Sequence, residues 1–250
     1  MHRVTTANKK AERIAAEGLA NIFVDDNKAI ILEINSETDF VSKNEEFIKM
    51  FEVIGMTILN SNVKTLDEAL NVDCGEGTIN EYIIAKTAKI GEKLSLRRFE
   101  IVEKSNNEVF GAYLHMGGKI AVLTVVENTN EEVAKDVAMQ AAAMRPQYLS
   151  KDDVPTEVVE TEKKFLTEEA IKEGKPAEIA EKMVIGRINK FFKDICLVSQ
   201  PFIKDSNIDV ETYVKNNGGQ VKKMIRYEVG EGIEKRNDNF AEEVMNQINK

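Results

Sequence analysis

Histidine and cysteine, the side chains that most readily act as bases, nucleophiles or metal ligands near neutral pH, are rare in this sequence. The chain has two of each among 250 residues. His115 is the better placed of the two histidines, since His2 stands at a chain end, where order is often lost. An alternating apolar stretch at 109–114 precedes His115 and Gly117-Gly118 follows it, which is typical of a strand that ends in a turn. We therefore favour a structural position for His115 over a catalytic one.

Glycine-rich segments could cradle a phosphate group, but none has the required spacing. The Gly-Gly-Lys segment at 117–119 lacks the spacing of a phosphate-binding loop, and Ile120 stands where a hydroxyl should follow. The Gly-Glu-Gly segment at 75–77 has no third glycine, because Asn80 takes that position. Hydrolase and zinc-binding motifs do not occur either. The sequence predicts no active site, no bound metal and no cofactor of its own.

The charge balance argues against nucleic acid as the main partner. The formal net charge is −9, whereas phosphate backbones are bound by clustered lysine and arginine. The longest apolar runs, such as 120–126, are far shorter than the roughly 20 residues that span a bilayer. Two lone cysteines, Cys74 and Cys196, show no ligand spacing and are typical of a reducing compartment. We expect a cytoplasmic protein that contacts neither nucleic acid nor membrane directly.

The segment around Phe40 is unusual, because an aromatic residue follows a polar loop just before a predicted helix. Ser42 and Glu45 have the spacing of a capping box and predict that the helix begins there. Phe40 could fold back as a core residue or hydrophobic staple, or it could be an exposed contact residue. A staple should pair Val41 with the fourth helical residue, which is the charged Glu46. This mismatch makes an outward-facing aromatic more credible, and aromatics are enriched at binding hot spots, but the spacing alone leaves both positions open.

Apolar periodicity and turn residues predict an α+β fold with antiparallel sheets flanked by helices. Spacings of three and four predict a helix over 7–19, and the polar segment 25–27 predicts a hairpin between strands at 21–24 and 28–34. The other predicted elements are helices from Ser42, within 65–90 (two), at 130–143 and at 239–248, and strands near 93–103, 108–115, 119–126 and 221–229.

Residues 152–196 differ in character, because helical apolar spacing runs through them with one interruption at 174–176. A glycine just past one helix and a proline just inside the next mark a stop and a start. We predict an antiparallel helical hairpin with arms of about 20 residues, each about 30 Å long. Such a hairpin could contact a partner, or it could seal itself as a structural insert.

A repeated pattern indicates two related halves. A lysine, an apolar strand, a short acidic loop and a helix follow one another from Lys28 and again from Lys119. The pattern predicts two α+β subdomains, although one shared unit also arises by chance. The predicted division is a first core subdomain at 1–106, a second at 107–151 and 197–236, the helical hairpin at 152–196 and a C-terminal helix at 237–250.

Four stretches, in the same order along the chain, resemble the elongation factor Ts family. They are the Thr38-Asp39-Phe40-Val41 motif within 33–41, AERIAAEGL at 11–19, GKPAEIAEKMV at 174–184 and RYEVGEGIEK at 226–235. The resemblance implies two pseudo-repeated core subdomains with a helical-hairpin (coiled-coil) insertion. The family's usual N-terminal helical module has no counterpart in these residues, and we expect the chain to start just after it.

The resemblance also implies a function. Elongation factor Ts is a guanine nucleotide exchange factor, which promotes GDP release from the GTPase elongation factor Tu during translation elongation. By resemblance, Thr38, Asp39, Phe40 and Val41 push into the GTPase domain and disturb its Mg²⁺ site. An exchange factor performs no chemical step of its own and needs no cofactor.

Further contacts with elongation factor Tu are expected at His115, Met139 and Gln140. Many family members carry a histidine at the position of Gln140, and glutamine keeps the hydrogen-bonding capacity but does not titrate. A homodimer through the helical hairpin is left open. So is a different class of function, in which the chain is a non-catalytic adaptor that docks a partner through the helical hairpin.

Overall fold

The computed structural model describes residues 13–234. The strands within this range are β1 (Glu17–Asp25), β2 (Lys28–Ser36), β3 (Ser95–Glu103), β4 (Glu108–His115), β5 (Ile120–Glu127), β6 (Pro201–Phe202), β7 (Asp205–Asp209) and β8 (Gln220–Glu228). The helices are α1 (Glu45–Leu59), α2 (Leu66–Leu70), α3 (Ile79–Ile90), α4 (Glu131–Met144), α5 (Thr156–Lys172), α6 (Ala177–Ile195) and α7 (Val210–Asn216). The strands form sheets in the orders β1-β2-β3, β4-β5-β8 and β6-β7. Helices mixed with small antiparallel sheets confirm the α+β class.

β2 is the central strand of the first sheet and is buried along nearly its whole length. Residues 29–36 are all buried, including the carboxylate of Glu33. A two-residue turn joins β1 to β2, and within it Asp26 adopts a left-handed φ of 51°. Such tight turns between strands require a positive φ, which aspartate and asparagine tolerate best after glycine. The hairpin predicted around 25–27 is confirmed.

The segment before β1 corrects the helix predicted over 7–19. Residues 17–19 belong to β1 and 13–16 are not helical, while 1–12 lie outside the described residues. Gly18 explains the error, because it approaches β2 closely at a φ of 126° and a Cβ there would lie 2.2 Å from the carbonyl oxygen of Ile34. A glycine at this position also fits the C-terminal end of a helix, but here it is required inside a strand.

The start of α1 corrects a second prediction. The helix begins at Glu45, and the side chain of Asn44 caps it by accepting a backbone N–H at 2.9 Å. The capping box predicted from Ser42 is therefore wrong. The Ser42 hydroxyl instead donates to the carbonyl of Asp39 within a 3-10 turn, Asp39–Lys43. Because the 3-10 turn occupies residues 39–43, the α-helix begins only after the next residue that can cap it, Asn44.

β4 and β5 pair antiparallel, with Glu108 opposite Glu127 at one end, and α4 packs across both strands. Gly111 permits this approach, since a Cβ at that position would lie 2.1 Å from the carbonyl oxygen of Ala134. The Thr124 hydroxyl donates to the same carbonyl at 2.8 Å. The two strands and the helix predicted for this stretch are confirmed.

The helices α5 and α6 lie within 152–196 and pack against each other. Gly174 ends α5 with a φ of 71°, and Arg187 of α6 donates to Glu173 at 2.7 Å. The first turn of α5 and the last turn of α6 meet at a buried cluster that contains Ile195. That the two helices form an insertion between repeated subdomains stays a prediction.

Contacts divide the described residues into two compact units. One unit holds residues 13–23, 32–101 and 227–234, and the other holds 24–31 and 102–226. The predicted subdomain boundaries stay a prediction, and the C-terminal helix predicted at 237–250 lies outside the described range. Over that range, no helix has both the length and the apolarity needed to cross a membrane.

Candidate functional site

The chain between β2 and α1 forms an exposed, regular turn. Thr38 has an extended backbone, and the 3-10 turn Asp39–Lys43 follows it. The N–H of Asn44 donates to the carbonyl of Val41 at 2.9 Å and closes the turn just before α1. Residues 38–41, which carry the motif singled out in the sequence, are called the Phe40 turn below.

Phe40 and Val41 have opposite environments although they are adjacent. Phe40 is 80% exposed, whereas Val41 is 5% exposed. Leaving a phenylalanine in water forgoes about 1.5–3 kcal/mol of burial free energy, which a core residue would have gained. Of the two positions that the spacing left open for Phe40, the structure shows the exposed one, and the role of Phe40 as a contact residue stays a prediction. Val41 anchors the turn in the core, while Asp39 is exposed beside Phe40.

A glutamate just after α3 holds the start of the Phe40 turn. Glu92 Oε2 accepts the backbone N–H of Thr38 at 2.9 Å, and Oε1 accepts the Thr38 hydroxyl at 2.6 Å. Hydrogen bonds to an ionised carboxylate are shorter and stronger than those between neutral groups. Both polar hydrogens of Thr38 are satisfied by one side chain.

A second carboxylate makes the reciprocal connection between the same two segments. Glu37 accepts the backbone N–H of Lys93 at 2.6 Å, and the Ser36 hydroxyl donates to the Thr38 carbonyl at 2.8 Å. Glu92 could not be identified from the sequence, because 54 residues separate it from Thr38 and no local pattern connects them.

β2 carries a fully buried carboxylate upstream of the turn. Glu33 accepts hydrogen bonds from the Gly230 N–H at 2.9 Å, Asn35 at 2.9 Å, Arg98 at 2.6 Å and Arg97 at 3.0 Å. Burial by itself raises the pKa of Glu33, but these donors outweigh it and lower the pKa below its ordinary 4.5. The ionised side chain therefore joins β2, β3 and the residues after β8.

The first turn of α1 is tied to α3 by a second ionic group. Glu46 accepts hydrogen bonds from Lys86 and Lys89, both at 2.7 Å. The bond from Lys86, followed by that from Lys89, lowers the pKa of Glu46 to about 2. Because this group is open to water, we expect it to align α1 with α3 rather than to add much stability.

Gln140 lies inside α4 and is 1% exposed. Its amide nitrogen donates to the Pro201 carbonyl at 3.1 Å and to Gln200 Oε1 at 3.3 Å, and its oxygen accepts the Ile203 N–H at 2.9 Å. The side chain thereby ties α4 to β6 and the residue that follows it. Its polar groups are used internally, which favours a structural role, and the partner contact predicted at Gln140 stays a prediction.

Replacing Gln140 with leucine is expected to lower the free energy of unfolding by about 1–3 kcal/mol, because buried partners lose their hydrogen bonds. Urea unfolding at neutral pH measures the change. The matched control is Gln147→Leu, since Gln147 is an exposed glutamine, and we expect it to leave stability nearly unchanged. A Gln140→Leu variant of normal stability that binds its partner poorly would support the contact role instead.

His115 ends β4 and is exposed at the turn that follows. Its Nδ1 lies 3.5 Å from the Tyr113 hydroxyl, and Met116 continues the chain at a φ of 51°. The predicted strand end is confirmed, and Met139 is half-buried on α4; contact roles for His115 and Met139 stay predictions. In the described part of the chain, no three histidine, cysteine, aspartate or glutamate side chains cluster as a metal site requires.

An exposed aromatic on a turn fixed by hydrogen bonds is typical of proteins that bind other proteins, where ordered anchors carry much of the binding energy. Here a buried strand and a helix flank a turn of this kind. The α+β fold and the exposed turn are typical of a protein that binds other proteins. The family model described as elongation factor TS matches residues 37–231, which include the Phe40 turn. The chain belongs to the elongation factor Ts family.

Membership implies a guanine nucleotide exchange factor that binds elongation factor Tu and serves protein biosynthesis. A factor of this family acts on a GTPase partner and does not catalyse a chemical reaction. The stretch at 174–184 lies wholly inside the matched range, and so does the Phe40 turn of the stretch 33–41. The stretch at 11–19 precedes that range and 226–235 extends beyond its end.

Proposed function

We propose that this chain promotes GDP release from elongation factor Tu by pressing the Phe40 turn into the GTPase domain and disturbing the Mg²⁺ site there. The observation that carries the proposal is the exposure of Phe40, 80% of which is open to water on a hydrogen-bonded turn. A large apolar side chain that the fold leaves outside gains burial only when a partner covers it.

The free energies of nucleotide binding and of phenylalanine burial indicate how much of the nucleotide release one contact can account for. A nucleotide held with nanomolar affinity is bound by about 12 kcal/mol, whereas burying one phenylalanine supplies only about 1.5–3 kcal/mol. Phe40 alone is therefore too weak. If the exchange factor binds the nucleotide-free GTPase more tightly than the nucleotide-bound GTPase, it lowers the affinity for the nucleotide by that same factor. The remainder comes from loss of the Mg²⁺ that neutralises phosphate charge, with the broad interface holding the turn in place.

The Phe40 turn divides into two residues that face outward and two that support them. Phe40 is the wedge, and the exposed carboxylate of Asp39 competes for, or reorients, groups near the ligands of the ion. Thr38 is held by Glu92, and Val41 is held by burial in the core. We assign partner contact to the outward pair and support to the inward pair.

The test is release of a fluorescent GDP analogue from elongation factor Tu, with and without an equimolar amount of this chain, in millimolar Mg²⁺. We expect faster release that reaches a plateau as the chain concentration rises. The acceleration should shrink when EDTA removes Mg²⁺, because the ion then no longer holds the nucleotide. A complex seen by gel filtration without faster release would contradict exchange activity, and absence of binding would contradict the partner as well.

A second candidate function is favoured by apolar side chains on α5 and α6. Phe165 and Ile171 on α5 and Ile179 and Ile185 on α6 are exposed. They suit an adaptor that docks a partner through these helices without exchange, and they are also where the predicted homodimer would form. Sedimentation of the chain alone tests for the homodimer, and sedimentation with elongation factor Tu tests for a complex. The GDP-release assay then identifies an adaptor, since only an adaptor forms the complex without accelerating release.

A further inference from the structure

Glu92 is carried on backbone that the helix end and the core hold in place. Gly91 ends α3 in the left-handed conformation and donates its N–H to the Thr87 carbonyl at 3.0 Å. Leu94 is buried, and its N–H donates to the Thr87 hydroxyl at 3.3 Å. Since Glu92 lies between these anchored residues, its backbone is held in place. Its carboxylate can therefore support a neighbouring segment through hydrogen bonds.

The carboxylate of Glu92 holds Thr38, whose own side chain does not cap the Phe40 turn. Thr38 is the N-cap residue of the 3-10 turn, yet its side chain makes no capping bond, although threonine usually accepts a backbone N–H at such a position. Its hydroxyl instead donates to Glu92 at 2.6 Å, and its backbone N–H donates to the other oxygen at 2.9 Å. Glu92 therefore adds a support from outside the turn to the local hydrogen bonds that Ser36, Ser42 and Asn44 make.

The exposed Phe40 depends on that support. Val41 holds the turn at one end through burial, and Thr38 holds it at the other through Glu92. Without Glu92, the residues before Val41 gain backbone freedom, and a flexible segment must be ordered again at each encounter with a partner. Fixing a single residue corresponds to a factor on the order of ten in an equilibrium constant.

We propose that Glu92 is a positioning residue for nucleotide exchange, acting through Thr38 to hold Phe40 in the orientation that meets the partner. The proposal rests on the proposed function of the Phe40 turn. It adds a residue outside the motif and assigns the carboxylate a mechanical role, in which its hydrogen bonds matter more than its charge.

The first experiment compares Glu92→Ala with a matched control. Glu81 accepts the N–H of Thr78 at 2.9 Å and lies 3.3 Å from its hydroxyl, so Glu81→Ala removes the same kind of threonine–carboxylate pair elsewhere in the same compact unit. We expect Glu92→Ala to slow the maximal rate of GDP release by about tenfold and Glu81→Ala to leave it unchanged. Equal loss in both variants would overturn the proposal in favour of general destabilisation.

A rescue and a double variant test the mechanical role directly. Glu92→Gln keeps an oxygen for the Thr38 N–H and an amide for the hydroxyl, so we expect it to restore most of the rate. In a Phe40→Ala background, Glu92→Ala should cause little further loss, because the support then has no wedge to hold. Failure of the rescue, or a full tenfold loss in the double variant, would overturn the positioning role.

A readout independent of exchange separates this inference from the proposed function. The chain has no tryptophan, so Phe40→Trp introduces a single fluorescent probe whose anisotropy reports how tightly the turn is held. Adding Glu92→Ala should lower the anisotropy, whereas adding Glu81→Ala should not. Unchanged anisotropy overturns the positioning of the turn. Lowered anisotropy in a chain that never accelerates GDP release supports the positioning and overturns the proposed function instead.

Discussion

Phe40→Ala is expected to reduce the acceleration of GDP release by roughly 10- to 150-fold, the factor that corresponds to losing the burial of one phenylalanine. The midpoint of thermal unfolding should stay close to that of the unaltered chain, because the side chain is 80% exposed and loses few contacts within the fold. Release of a fluorescent GDP analogue from elongation factor Tu and thermal unfolding together measure both quantities. The separation of activity from stability identifies a wedge rather than a core residue.

Phe165→Ala is the informative comparison, since Phe165 is another exposed phenylalanine, 55% exposed on α5. Exchange through the Phe40 turn predicts that this variant keeps the maximal rate of release. An adaptor that docks through α5 and α6 predicts the reverse, with weaker complex formation in Phe165→Ala and little effect of Phe40→Ala. Marked thermal destabilisation of Phe40→Ala would contradict the exposed position of the side chain.

The largest effect on stability is expected at Glu33, where the neutral isostere Glu33→Gln should lower the free energy of unfolding by about 3 kcal/mol. The carboxylate is fully buried and accepts bonds from Arg97, Arg98 and the Gly230 N–H. Without its charge, Arg97 and Arg98 lose the buried carboxylate that they share, and Arg98 keeps a longer ion pair with Glu231 at 3.5 Å. Urea unfolding at pH 7 measures the loss.

The effect of Glu33 should also depend on pH in a defined direction. The pKa of Glu33 is lowered below its ordinary 4.5 in the folded protein. Its ionised form therefore stabilises the fold fully above about pH 4.5, and this contribution is lost as the pH falls through the folded-state pKa. The difference in stability between the unaltered chain and Glu33→Gln should narrow as the pH falls from 7 toward 3.

Glu103→Gln provides the control for the pH series. Glu103 lies 3.3 Å from Lys28 in an exposed ion pair, and exposed pairs contribute little to stability. We expect this variant to change the free energy of unfolding far less than Glu33→Gln at neutral pH. A Glu33→Gln difference that stays constant down to pH 3 would contradict an ionised, hydrogen-bonded carboxylate at this position.

Elements whose residues interact with near neighbours were predictable from the sequence. The apolar spacing of α4 and the alternation of β4 depend on residues two to four positions apart, and both elements are confirmed. The exposure of Phe40 could not be decided from local pattern, because the staple argument assumed a helix capped at Ser42 and the helix is capped by Asn44. The two errors arose where local patterns fit more than one backbone. Gly18 suits a helix end or a strand in close contact, and Ser42 suits a cap or a 3-10 turn.

By itself the sequence determined the α+β class, the family and the segment that carries the candidate site, because each depends on short motifs and local periodicity. Only the tertiary structure decided which groups support that segment and which expected contact is buried. Glu92 meets Thr38 across 54 residues, Gly230 meets Glu33 across 197, and Gln140 meets Gln200 across 60. The fold alone brings these groups within hydrogen-bond distance, since the strength of such a bond depends on geometry in space and not on separation along the chain.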